Sequence, residues 1–113
     1  MGVVYLIHSI GTENKDENNI IRANYKIGCS KTNATKRKDT LQTGNPNELE
    51  ITHVFKTEHP FKLEKMLHNH YKNNHLLNEW FELTNEEVLN FIEICKKHNN
   101  TIIFLLEAEN PFF

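Results

Sequence analysis

Five side chains in this sequence are the kinds that carry out hydrolysis: Tyr5, Lys26, Arg37, Glu64 and His68. They supply a phenol, an amine, a guanidinium, a carboxylate and an imidazole. Cutting a phosphodiester needs an activated water, neutralisation of charge on the phosphate, and help for the leaving oxygen. A carboxylate holding a hard divalent cation supplies much of this. A guanidinium fork matches phosphate oxygens, and a phenol or amine beside the water can move its proton.

Glu64 is the best metal candidate. In a helix, Glu64, His68 and Tyr71 share a face with Leu67. A carboxylate bordering an apolar stripe needs a partner, because burying it uncompensated is costly. A hard cation such as Mg²⁺ or Mn²⁺, which keeps several waters, is one such partner. A basic side chain, Arg37 for example, is the other. His68 reads as a proton shuttle or phosphate donor near Glu64, or as a helix histidine at the edge of the core. His68, His70 and His75 argue poorly for zinc, since i and i+2 lie on different sides of a helix and no Cys is near. Strand alternation puts Val3, Tyr5 and Ile7 on one face, and sends Lys26 and Tyr25 to opposite faces. An amine at position 26 can depress the pKa of the Tyr5 hydroxyl or contact a phosphate. Glu79, just before Trp80, reads as a supporting acid or as a surface residue.

These side chains must be positioned by 113 residues, enough for one domain with a modest core. A hydrophobic share of 38% and a charged share of 25% exclude a wholly disordered or fibrous chain. A net charge of −2 excludes a general cationic coat for nucleic acid. It leaves room for a local patch. From Lys26 to Lys38 there are five basic residues and no acidic one, and Lys31, Lys36, Arg37 and Lys38 are the candidate DNA contacts. The longest apolar run, 102–106, is far below the roughly 20 residues of a membrane span. No leader is visible before Val3. Cys29 and Cys95 form no disulfide framework, so a reducing, intracellular setting is the simplest reading.

Periodicity predicts strands over 3–10 and 20–29, joined by a polar loop, and a short helix capped by Thr32 or Asn33 and running to 42. A strand over 50–56 follows the turn at 43–47. Pro60 opens a helix reaching 73. A short strand over 80–83 leads into a capping box, Thr84-Asn85-Glu86-Glu87, and a third helix with Val88, Phe91, Ile92 and Cys95 on one face. Residues 101–106 read as a last strand or an apolar tail. The fold class is α+β: a small, mostly antiparallel sheet of three to four strands flanked by helices. The domain spans 1–113, with its core over 3–99 and an apolar segment over 100–113. Tyr5, Lys26, Arg37 and the Glu64 helix are expected to face one surface.

One ordered set of motifs remains: Gly2-Val3-Val4-Tyr5, then Tyr25-Lys26-Ile27-Gly28, then Arg37, then Leu63-Glu64-Lys65-Met66-Leu67-His68, then Asn78-Glu79-Trp80-Phe81. The set resembles the GIY-YIG endonuclease superfamily, in the branch common in phages and large DNA viruses. That branch has a KIG-type second motif and a Gln-Thr-Gly-Asn-Pro turn, here 42–46. The resemblance covers roughly 3–83. It implies a metal-dependent endonuclease acting on DNA, with Glu64 as the single metal ligand, Arg37 on the phosphate and Tyr5 as the first-motif tyrosine. The second motif departs from the usual form: Lys26 stands where a tyrosine is common. The alternative is a nucleic-acid-binding or regulatory module that keeps the fold without cleaving. A domain this small has little surface for base reading, so specificity calls for a homodimer or a partner protein.

If the basic segment tracks a phosphate backbone, affinity for a short DNA duplex should fall with salt. Replacing one phosphate-contacting lysine, such as Lys31, should flatten the log–log salt slope by about one unit. Fluorescence anisotropy across a salt series checks this, and a flat response counts against the patch.

Overall fold

The computed structural model describes residues 1–31 and 34–108. Two long strands run through the centre of the sheet. β1 (Gly2–Ser9) and β3 (Ile21–Ser30) are rich in β-branched and aromatic residues, which fit a pleated and buried surface. Between them lies the two-residue strand β2 (Asn14–Lys15). Helix α1 (Ala34–Thr43) follows; its expected caps, Thr32 and Asn33, lie outside the described residues. Strand β4 (Leu49–Thr57) leads to α2 (Pro60–His70), which opens on proline as expected. A 3₁₀ turn at Lys72–Asn74 ends that helix earlier than its periodicity suggests. The short β5 (His75–Leu77) and β6 (Trp80–Thr84) complete the sheet. Helices α3 (Asn85–Leu89) and α4 (Phe91–Glu107) end the described chain.

The fold is α+β. Its strands lie in the order β4-β1-β3-β6-β5, with β2 paired to the start of β3, and every described pairing is antiparallel. Among the described residues six strands stand where three to four were expected. The additions, β2 and β5, have two and three residues, too few for alternation to show in a sequence.

Each face of the sheet has its own core. On one face, Val4, Leu6, Tyr25 and Ile27 pack under Leu63 and Leu67 of α2, with Phe91, Cys95 and Ile102 of α4. On the other, Val3, Tyr5, Ile7 and Leu49 are joined by half-buried Leu41 of α1 and by Trp80. Tyr25 and Lys26 therefore point to opposite faces, with a continuous β1–β3 register from Tyr25 to Ser30.

The capping box forms: the Thr84 hydroxyl accepts from the Glu87 N–H, and the Glu87 carboxylate accepts from the Thr84 N–H. The helix that follows is broken at Asn90, and its second part continues through 101–106. That segment is neither a strand nor an apolar tail. Phe91, Cys95 and Ile102 are spaced four and seven apart, so they line one helical face, and all three are fully buried. Burial of that stripe overrides the strand preference of Thr101, Ile102 and Ile103. Among the described residues no helix is long and apolar enough to cross a membrane.

Ile102→Ala is expected to cost about 2–5 kcal/mol, as for a buried aliphatic side chain. Phe104→Ala, at a 68% exposed position two residues away, should stay within about 0.5 kcal/mol. Urea unfolding of both variants checks the assignment. Equal effects would contradict it.

Candidate functional site

Strand β3 is longer than its neighbour β6. Trp80, the first residue of β6, sits opposite Lys26, so residues 27–30 have β1 on one side and no described strand on the other. The backbone at this edge is still satisfied. The Ile27 N–H donates to the Glu79 carbonyl at 3.1 Å. The Ile27 carbonyl, which can only accept, takes a hydrogen bond from His68 Nε2 at 2.8 Å, so that nitrogen carries the proton. His68 thus ties α2 to the open edge of β3. Its ring also meets Phe81 edge-on.

Around this edge the candidate side chains assemble from both faces. Tyr5 is opposite Gly28 on the adjacent strand and almost fully buried. A Cβ at Gly28 would lie 2.4 Å from the Tyr5 hydroxyl oxygen, so the glycine is what lets the ring lie down. Arg37 of α1 donates a hydrogen bond to that hydroxyl. Lys26 lies opposite Ile7 and Trp80 on the same face, and its ammonium is 5.9 Å from the centre of the indole ring. It is only 7% exposed, and its Nζ reaches Glu79 Oε2 at 2.6 Å.

Glu64 comes from the other side. Leu63 and Leu67 bind α2 to the face opposite Tyr5, whereas Leu41 binds α1 to the Tyr5 face. The expectation that the Glu64 helix and Arg37 share one surface is therefore corrected: α2 follows its Leu63–Leu67 stripe to one face, and Leu41 seats the largely polar α1 on the other. The Glu64 carboxylate still reaches the edge of β3. It is hydrogen-bonded to the Cys29 thiol and to the Glu79 carboxyl, with His68 Nε2 at 3.6 Å. Glu79 links the two sides, since it holds Lys26 on one and Glu64 on the other.

The electrostatics follow from this packing. Burial pushes the Glu64 carboxyl above its ordinary pKa; Glu79 adds to the rise, and Cys29 and His68 oppose it. Burial also acts to raise Glu79. There the Lys26 ion pair and the hydrogen bond with Glu64 outweigh it and hold Glu79 below its ordinary value. A proton shared by the two carboxyls therefore belongs to Glu64. Burial and the nearby Glu64 carboxylate push the Cys29 thiol up to about 12, so it acts as a neutral donor. Burial also raises the Tyr5 hydroxyl, with Arg37 opposing. The cation at that hydroxyl is Arg37. Lys26 is not the cation that acts on the Tyr5 hydroxyl, and Glu79 engages its amine.

The basic segment is divided. Lys26 is buried and contributes nothing to the surface. Lys31 is exposed, its ammonium 5.6 Å from the centre of the Phe61 ring. Lys36 and Arg37 are exposed on α1, and half-buried Lys38 lies 3.6 Å from Asp39. The participants that sequence reasoning missed are Cys29 and, in its linking role, Glu79. Asn78-Glu79-Trp80-Phe81 carried the signal for Glu79. Asn78 has a positive φ of 54°, a turn conformation asparagine tolerates, just before Glu79 enters the edge.

A family model described as the T5orf172 domain matches residues 2–96. The chain belongs to the T5orf172 domain family. This family is nuclease-associated and related to the broader GIY-YIG superfamily. No curated protein and no solved structure matches the chain. The matched span of this T5orf172 domain runs from β1 into α4 and includes Tyr5, Lys26, Arg37, Glu64, His68 and Glu79.

The raised Glu64 pKa has a sign that stability measurements can read. A carboxyl whose folded pKa exceeds its unfolded value of 4.5 is tolerated fully below that pH, and its contribution is lost as pH rises through the folded value. Glu64→Gln should therefore raise the urea midpoint near neutral pH, and the gain should shrink as pH falls toward 4.5. Identical midpoints at pH 7 would mean that the buried carboxylate carries no penalty.

Proposed function

We propose that this T5orf172 domain is a metal-dependent endonuclease of the GIY-YIG type, in the branch with a KIG-type second motif, and that it hydrolyses DNA phosphodiester bonds. The observation that carries the reading is the meeting of Glu64 with Glu79 at the same strand edge where Arg37 holds the Tyr5 hydroxyl. Two carboxylates in hydrogen-bond contact at an open sheet edge fit a hard divalent cation. Among the described residues no set of three or more His, Cys, Asp and Glu side chains converges on one point. A pair of carboxylates suits Mg²⁺ or Mn²⁺, which retain several waters.

Glu64, with Glu79 beside it, would hold the cation. The ion, when bound, supplies charge stabilisation to the phosphate and lowers the pKa of a coordinated water. The rest falls to the chain's own groups. Arg37, exposed beyond the Tyr5 hydroxyl, offers its remaining N–H donors to phosphate oxygens. Tyr5 is held as a neutral phenol by burial, which suits it to orient the attacking water by hydrogen bonding rather than to deprotonate it. Lys26 keeps Glu79 ionised and in place. His68 fixes the Glu64 helix to β3 through the Ile27 carbonyl. The exposed Lys36, beside Arg37 on α1, extends the anion-binding surface.

A second reading, a DNA-binding module without cleavage, draws on one observation. Lys26 occupies the usual second-tyrosine position and is locked in an ion pair. Nicking of supercoiled plasmid separates the two. The wild type should nick in Mg²⁺ or Mn²⁺. Glu64→Gln, which keeps the shape and removes the charge, should be slower by about 10²–10³-fold or more while still binding DNA. Cleavage by Glu64→Gln at the wild-type rate would refute the mechanism. Binding without cleavage by the wild type would favour the second reading.

A further inference from the structure

One turn along α2 from Glu64, the Phe61 ring is 60% exposed. Phe61 and Glu64 are three residues apart, about 4.5 Å of axial rise, and such positions are neighbours on a helix surface. The Lys31 ammonium lies 5.6 Å from the centre of the ring. Lys31 in turn is two residues beyond Cys29, whose thiol touches Glu64. Ring and cation are thus anchored to the two elements that meet at the proposed metal site. They open onto a cavity of about 470 Å³ lined by Met1, Lys31, Glu58, Pro60 and Phe61.

The chemistry of this lining selects among ligands. A phosphate would be repelled by Glu58. A purely apolar group would leave both Lys31 and Glu58 without a complement. A nucleobase needs a flat apolar contact, which Phe61 and Pro60 offer. Its edge carries acceptors, which suit the Lys31 ammonium, and exocyclic amines, which suit the Glu58 carboxylate. A base inside continuous duplex has both faces covered by its stacked neighbours and cannot use such a ring.

We propose that Phe61 and Lys31 form a stacking platform for an unpaired base next to the scissile phosphate. The preferred substrate is then a DNA strand with an unpaired nucleotide beside the cut, rather than continuous duplex. The placement of the scissile bond rests on the nuclease reading above.

The test uses a gapped duplex with 2-aminopurine in the gap, and its fully paired counterpart. Binding of the wild type to the gapped DNA should quench 2-aminopurine fluorescence, and affinity should favour that DNA. Phe61→Ala should lower this preference by roughly 5- to 150-fold, and Phe61→Trp should restore it. No preference in the wild type, or one unchanged in Phe61→Ala, overturns the platform. The nuclease reading is scored separately, by cleavage of both DNAs with and without Glu64→Gln. Glu64-dependent cleavage with no gap preference overturns the platform and leaves the nuclease standing. A Phe61-dependent preference without Glu64-dependent cleavage supports the platform and overturns the nuclease.

Discussion

Lys26 is a charged amine at a nearly closed position in the middle of a sheet, between Ile7 and Trp80 on the neighbouring strands. Such a charge is tolerated only with a close counter-ion. Glu79 provides it, at the point where β6 begins. Because β6 starts there, β3 runs on with an open edge, and the Glu79 side chain turns at that edge toward α2. The ion pair thereby fixes the second carboxylate against which Glu64 is held. The rest of the site is organised around this contact.

The two signs are segregated across the sheet edge. Arg37 and Lys26 stand on one face, Glu64 is supplied from the other, and Glu79 lies between the two. Burial, and then the adjoining Glu79 carboxyl, disfavour an ionised Glu64, and the raised Glu64 pKa records that opposition. A bound cation would relieve it. Strain kept at a site and relieved by its ligand is the usual trade of stability for function. Gly28 contributes differently. It removes a side chain so that the Tyr5 ring can lie over β3 with its hydroxyl toward Arg37.

Much of this is legible in the sequence. Strand alternation was enough to separate Lys26 from Tyr25. Helical spacing put Glu64 beside Leu67, and the capping box at Thr84 formed as written. What was hidden depended on distant parts of the chain. Residues 101–106 carry a strand-like composition, yet Ile102 completes a helical stripe that begins at Phe91. The division of α1 and α2 between opposite faces is set by which sheet face Leu41 or Leu63 finds, and local pattern does not encode it. The same holds for Glu79. Its role exists only because β6 begins part-way along β3, which runs on past it, a fact of strand length and pairing.

The central claim is that Glu64 and Glu79 form a divalent-cation site at the edge of β3. Titration of Mn²⁺ followed by electron paramagnetic resonance tests this without any need for cleavage. The account predicts one Mn²⁺ bound per wild-type chain, displaced by Mg²⁺, and lost in Glu64→Gln while the fold remains intact. Mn²⁺ binding that is absent from the wild type, or unchanged in Glu64→Gln, would contradict it.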